Sequence, residues 1–177
     1  MWVAASAPLP CAKTVTITTV FAPGNRRASA SRAGHDGAMD FILRTAAAAD
    51  VDALLTLWRD AAENEGRPAD TSQAVTALLS RDPDAVIVAV RGGELIGSVI
   101  AGWDGWRGHL YRLAVHPGWR RRGVGGALVA AAEERLRSFG ARRADAMVFA
   151  PNELGQQLWR AHGYHPQQDW RRWVKPI

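Results

Sequence analysis

Arg120, Arg121, Arg122, Gly123, Val124, Gly125 and Gly126 follow an apolar run, Leu110 to Val115, and a His-Pro-Gly turn, and they lead into a helical pattern. A loop that brings several backbone N–H groups to a helix start favours an anion, because the unpaired donors and the positive end of the helix dipole both attract negative charge. Glycine lets the backbone approach a phosphate closely and take left-handed angles without a Cβ clash, so the N–H groups of Arg121 through Gly126 can point at a pyrophosphate. Hydrogen bonds to a charged group contribute roughly 1.5–3 kcal/mol each, so a few of them outweigh one exposed arginine contact. Other chemistry-bearing residues lie nearby in sequence. His109 and Tyr111 sit on the run before the loop, and Asn152, followed by LWRAHGY, suits a helix N-cap.

Three kinds of glycine loop compete for this segment. A P-loop ends in Gly-Lys-Ser/Thr so that the lysine reaches the outer phosphates, and no such tripeptide occurs. A dinucleotide fingerprint needs Gly-x-Gly-x-x-Gly directly after the first strand, whereas here the last position is Leu128 and several antiparallel strands come first. Asp145 lies at the distance of that fold's acidic residue, but the local context argues against it. Arg120, Gly123 and Gly125 fit R-x-x-G-x-G. With LAVHPGWRRRGVG around them and Asn152 before LWRAHGY, the stretch from about Phe41 to Lys175 resembles the GNAT superfamily of N-acetyltransferases. The segment GSVIAGWDGWRGHLYRLAVHP is similar to small bacterial acetyltransferases of the ribosomal-protein-alanine type.

The resemblance implies an α/β fold with a mixed, mainly antiparallel twisted sheet flanked by helices, opened by a β-splay between strands at about 109–116 and 144–149. It implies acetyl-CoA as co-substrate and a primary amine, a protein N-terminus or a small molecule, as the acceptor that attacks the thioester directly. Leu113, Ala114 and Val115 would offer main-chain groups to the pantetheine arm and acetyl carbonyl. Arg120, Arg121, Arg122, Gly123, Val124, Gly125 and Gly126 would hold the pyrophosphate, and Asn152 would reach the pantetheine or a bridging water. Trp159 stands where the family commonly has a tyrosine, the acid for the leaving thiolate, and Met147 where the ribosomal-protein-alanine type has a glutamate base. An indole N–H donates a hydrogen bond but is no acid near neutral pH.

Candidates for the catalytic work are therefore Trp159 as a donor and His109 and Tyr111 acting through water, with Asp104 and Tyr164 as further groups. A thiol with pKa near 8.5 leaves without help, and general acid or base assistance is worth about 10²–10⁴-fold. At pH 7 an α-amino group is about one-tenth free base and a lysine only about four parts in ten thousand, which favours a low-pKa amine. Glu63, Glu65 and Asp70 are placed to attract a cationic acceptor, and Trp103, Trp106 and Trp119 to wall a cleft. The alternative is a module that senses acyl-CoA without turnover, and a third class is nucleic-acid binding through the arginine run.

The elements that must position these groups follow from period and punctuation. Phe41 to Thr45 reads as a strand, and Asp50 opens a helix to about Asn64 with Leu54, Leu55, Trp58, Ala61 and Ala62 inward. Thr71 opens a second helix with Val75, Leu78 and Leu79 inward. Ala85 to Arg91 and Glu94 to Trp103 form a hairpin around Gly92 and Gly93, and His109 to Val115 adds a third antiparallel strand. After the glycine loop, Val124, Ala127, Leu128, Ala131 and Leu136 share a helical face, with Glu133 and Arg137 paired outside and Gly140 as the stop. Ala144 to Phe149 is expected as a buried strand, Asn152 to His162 as a short helix and Trp170 to Lys175 as a closing strand.

Bulk properties bound the rest. A chain of 177 residues has room for one sizeable core. Of the net charge of +5, +3 falls in residues 1–38, so the body is nearly neutral and no general polyanion binder is indicated. Residues 1–38 read as a disordered extension before a domain over 39–177, with Met39 as an alternative start. One cysteine, Cys11, allows no intrachain disulfide and no thiolate cluster, and no apolar run approaches the roughly 20 residues of a membrane span. A cytoplasmic setting is expected, without membrane or nucleic-acid partners, and with a homodimer as an open expectation.

Overall fold

The computed structural model describes residues 41–62, 69–170 and 172–175. The expectations for residues 1–38 and for Met39, Glu63 and Glu65 fall outside them. In chain order the elements are β1 (Ile42–Thr45), α1 (Val51–Asp60), α2 (Ser72–Arg81), β2 (Val86–Arg91), β3 (Glu94–Trp103), β4 (Gly108–Val115), α3 (Val124–Ser138), β5 (Ala144–Ala146) and α4 (Glu153–Ala161), with 3-10 turns at Ala48–Asp50 and Pro117–Trp119.

The sheet runs β1-β2-β3-β4-β5. All neighbours are antiparallel except β4 and β5, which pair in parallel. Short turns join β2 to β3 and β3 to β4, a long helical connection through α1 and α2 returns antiparallel from β1 to β2, and the α3 crossover carries β4 to a parallel β5. Gly92 and Gly93 turn the β2–β3 hairpin at φ +57° and +88°, the left-handed pair that matches strand twist.

Each face of the sheet carries its own core. Leu54, Leu57, Trp58 and Val75 of α1 and α2 pack on Val86, Val88 and Val90, while Val124, Leu128, Ala132 and Leu136 of α3 and Trp159 of α4 pack on Ile87, Ile96, Val99 and Leu110. The alternation of adjacent strand residues between the two clusters is the period of two that the sequence displays. α3 lies close to the sheet, since a Cβ on Gly97 would fall 2.9 Å from Val124 Cγ1 and one on Gly108 2.7 Å from Leu136 Cδ1.

Caps set the helix ends. Thr71 Oγ1 accepts from Ala74 N at 3.2 Å, and the Asn152 amide oxygen accepts from Gly155 N at 2.7 Å. Asp50 does not cap α1 with its side chain; its carboxylate accepts instead from Ala47 N (2.7 Å) and from the Arg44 guanidinium (2.6 and 2.8 Å), pinning β1 to the helix start. Several expectations need correction. α1 ends at Asp60 rather than Asn64. The fifth strand stops at Ala146, and Met147, Val148 and Phe149 leave the sheet exposed. Residues 170 and 172–175 form no strand, and Trp170 and Trp173 lie exposed.

Candidate functional site

Three rungs join β4 to β5, Gly108 to Ala144, His109 to Asp145 and Leu110 to Ala146. Beyond them β4 runs on alone to Val115, so a gap opens through the sheet. His116 N donates to Ile96 O at 2.9 Å, which fixes the phase of the ladder with β3. Bonded rungs alternate, so Ala114 lies on the next bonded rung opposite Ser98, and the main-chain groups of Leu113 and Val115 turn away from β3 toward the gap. Ala114, expected to share that role, has its main chain committed to β3.

A bulge bends β4 at this point. Ser98 opposes Ala114 and Ile100 opposes Tyr111, so Arg112 and Leu113 together face the single residue Val99. Arg112 takes φ +47°, a left-handed angle rare outside glycine. Its guanidinium reaches Asp70 Oδ1 through Nε (2.7 Å) and one terminal nitrogen (2.5 Å). Asp70 therefore holds a cation of this chain, not only one from outside.

The loop after β4 ends in Gly123 at φ +81°, the N-cap of α3. A helix leaves its first N–H groups without internal acceptors, and the α3 ladder begins with Ala127 N donating to Gly123 O, so Val124, Gly125 and Gly126 keep theirs free of helical acceptors. A Cβ on Gly125 would lie 3.7 Å from Val115 Cγ2, which measures how near the helix start is to the end of β4. The same Cβ would meet Leu158 at 3.3 Å, and one on Gly126 would lie 3.0 Å from His162 Nε2. These two glycines thus admit α4 against the first turn of α3 as well as leaving its N–H groups uncovered.

The arginine side chains shape the loop. Arg120 Nε donates to Val115 O at 3.3 Å, and the Arg122 guanidinium lies over the Trp119 ring at 4.9 Å, where Arg91 also packs at 4.7 Å. Arg121 is exposed at φ +61°. Trp119 is therefore a partner of arginines instead of a cleft wall; Trp103 likewise stacks on Phe139 at 6.1 Å, and Trp106 is exposed with Arg107 over it. The Asn152 oxygen is engaged in its cap, leaving the amide N–H groups as the donors it can offer.

At the closed end of the gap His109 Nδ1 lies 2.7 Å from Asp145 Oδ1 across a parallel rung, and His109 Nε2 lies 3.7 Å from Asp104 Oδ2. A neutral ring that donates Nδ1–H to Asp145 leaves Nε2 as an acceptor, whereas a ring that donates from both nitrogens meets a carboxylate at each. The Asp104 carboxyl is held below its ordinary range by hydrogen bonds from the backbone N–H groups of Arg107 and Trp106. Tyr111, with its ring centroid 5.9 Å from that of His109, has its hydroxyl pKa raised by burial and, secondarily, by the Asp145 charge. It remains a neutral donor at physiological pH.

Trp159 is elsewhere. It is 8% exposed, in the core beside α3, and meets Tyr164 edge-on at 4.8 Å. The Tyr164 hydroxyl pKa is driven up by burial and by Glu133. Both belong to packing between α3 and α4. Asp145 and the bulge at Arg112 are the parts that sequence reasoning missed. The acidic residue was visible, but its pairing with His109 depends on the β4–β5 register.

Known proteins are similar to this chain in sequence and in fold. Residues 51–164 match the acetyltransferase (GNAT) family. An acetyltransferase of Pectobacterium atrosepticum is 38% identical over 105 residues, covering 59% of this chain and 73% of its own. Among solved structures, the ribosomal-protein-alanine N-acetyltransferase of Brucella melitensis superposes with a TM-score of 0.59 at 27% identity, over 69% of this chain and 83% of that one. A putative acetyltransferase of Salmonella typhimurium, solved with its cofactor acetyl-CoA, superposes with a TM-score of 0.62 at 18% identity, over 72% and 80% of the two chains. No helix among the described residues is long and apolar enough to cross a membrane.

Proposed function

Because the chain belongs to the GNAT family of acetyltransferases, we propose that it transfers acetyl from acetyl-CoA to a primary amine, a protein N-terminus or a small amine, by direct attack. The observation that supports this reading is the left-handed Gly123 cap, which starts α3 beside the end of β4 with the N–H groups of Val124, Gly125 and Gly126 free of helical acceptors. That cradle fits a pyrophosphate, and acetyl-CoA would supply the acyl carbon together with a thiolate leaving group. Its arm would lie along Leu113 and Val115, with Asn152 donating from the α4 side.

The protein's own groups do the remaining work. The Val115 N–H and the Leu113 main chain orient the thioester carbonyl. His109 Nε2, kept as an acceptor by Asp145, takes the proton of the attacking amine through water. With Arg120 on the Val115 carbonyl and Arg122 over Trp119, the cradle would hold its ligand mostly by backbone N–H groups and little by arginine charge, unlike a nucleic-acid binder. A low-pKa amine suits a site whose base is an imidazole.

Thiol release from acetyl-CoA across a panel of amines and N-terminal peptides tests this reading. Amine-dependent release is expected, with a product carrying one acetyl group by mass. Tight acetyl-CoA binding with no amine-dependent release would identify an acyl-CoA sensor instead.

A further inference from the structure

Ser98 is wholly buried, yet it is a polar residue in a strand whose neighbours Val99 and Ala101 are apolar. A buried hydroxyl in such a place has a partner to satisfy. It has two. The Trp58 indole Nε1–H donates to Ser98 Oγ at 2.8 Å, and Ser98 Oγ in turn donates to the main-chain oxygen of Arg112 at 3.3 Å. Arg112 is the left-handed residue of the β4 bulge, where the regular ladder is broken and an extra residue lacks its ordinary partner.

We propose that Trp58 and Ser98 are positioning residues: their hydrogen-bond relay runs from α1 through β3 to the Arg112 carbonyl and sets the bulge that aims Leu113 and Val115 into the gap. This rests on the proposed acetyl transfer for its effect on turnover. The Arg112 side chain is held as well, through the pair with Asp70 in the connection between α1 and α2. The bulge residue is thus gripped at its carbonyl by Ser98 of β3, itself held by Trp58 of α1, and at its guanidinium by Asp70. A serine at position 98 supplies the hydroxyl that the displaced carbonyl requires, and an alanine of nearly the same volume would not. The relay touches neither substrate, so its effect falls on geometry at the acyl carbon and not on the cradle at α3.

Three variants of the full chain test it: Ser98→Ala, Ser98→Thr and Trp58→Phe. Ser98→Ala is expected to lower kcat about ten- to a hundredfold, the scale on which small misplacements act, with the Kd for CoA rising far less because the cradle at α3 is untouched. Ser98→Thr, which restores the hydroxyl, should recover most of the rate, and Trp58→Phe should fall between. Wild-type kcat in Ser98→Ala, no recovery in Ser98→Thr, or loss of CoA binding in step with kcat would overturn the relay. Should Ser98→Ala fail to fold, Trp58→Phe decides by the same split, an unchanged kcat overturning it. Backbone amide resonances of Leu113 and Val115 in the ligand-free protein give a readout that needs no substrate. They should shift in Ser98→Ala and return in Ser98→Thr; unshifted signals sink the relay even if acetyl transfer is real, and shifted signals support it even if transfer is not.

Discussion

His109 and Asp145 stand 36 residues apart in sequence and meet at 2.7 Å only because β4 and β5 pair in parallel in one register. A slip by one residue would turn Asp145 to the opposite face and leave the ring with either tautomer. Asp145→Asn should therefore lower kcat by about 10²-fold with the KM for acetyl-CoA unchanged, the signature of lost proton transfer. Steady-state kinetics per folded molecule against both substrates would show it; an unchanged kcat with a raised KM would place Asp145 in substrate binding instead. The titratable types at His109 and Tyr111 were legible in the sequence. At Trp159 an indole in a family signature reads as a site residue until its neighbours are known. In the fold it buries against α3 and Tyr164, and hydrophobic area decides its location.

Elements with local signals were read well. Gly-Gly between two β-branched runs gave the hairpin, and Thr71 and Asn152 gave helix starts, because each signal acts within four residues. The bulge at Arg112 was hidden, since an arginine gives no warning of a left-handed angle and the apolar pattern of Leu110 to Val115 runs on across it. The expected strand at 144–149 was cut short because parallel pairing needs a partner that β4, bending at the bulge, no longer offers. Gly123 is where element and proposed function meet. A Cβ at φ +81° costs about 1–2 kcal/mol, so Gly123→Ala should lower stability by that much in urea and weaken CoA binding together. Unaltered CoA affinity would move the cradle away from the α3 start.

Another elemental joint is titratable. The Asp50 carboxyl is held below its ordinary value first by the Arg44 hydrogen bond, against the effect of burial. A depressed carboxyl pKa means that the folded state binds the proton less tightly than the unfolded chain. Its contribution is complete above an unfolded pKa of about 3.9 and fades as the pH falls through the lower folded value. Thermal midpoints followed down from pH 5 should drop more steeply for the wild type than for Asp50→Asn, and parallel curves would remove the joint from acid stability.

Across the whole molecule, the two helical layers are tied by one buried cation. Arg135 of α3 donates to Ala101 O of β3 at 2.8 Å and to Asp82, the residue that ends α2, at 2.5 Å, while its Nε has no hydrogen-bond partner in the structure. Removing one member of such a pair leaves an uncompensated charge, so Asp82→Ala should cost about 3–5 kcal/mol in a single urea transition. A biphasic curve would instead mean that the layers unfold separately. Periodicity alone revealed both layers, but an arginine in a helix reads as surface until its long-range partner appears. The gap between β4 and β5 passes from one layer to the other, so on the proposed reaction each substrate has its own doorway. Double-reciprocal plots should then intersect rather than run parallel, and free CoA should compete with acetyl-CoA but not with the amine. An acceptor too bulky for the α1–α2 doorway would go unmodified however tightly the nucleotide were gripped on the other side.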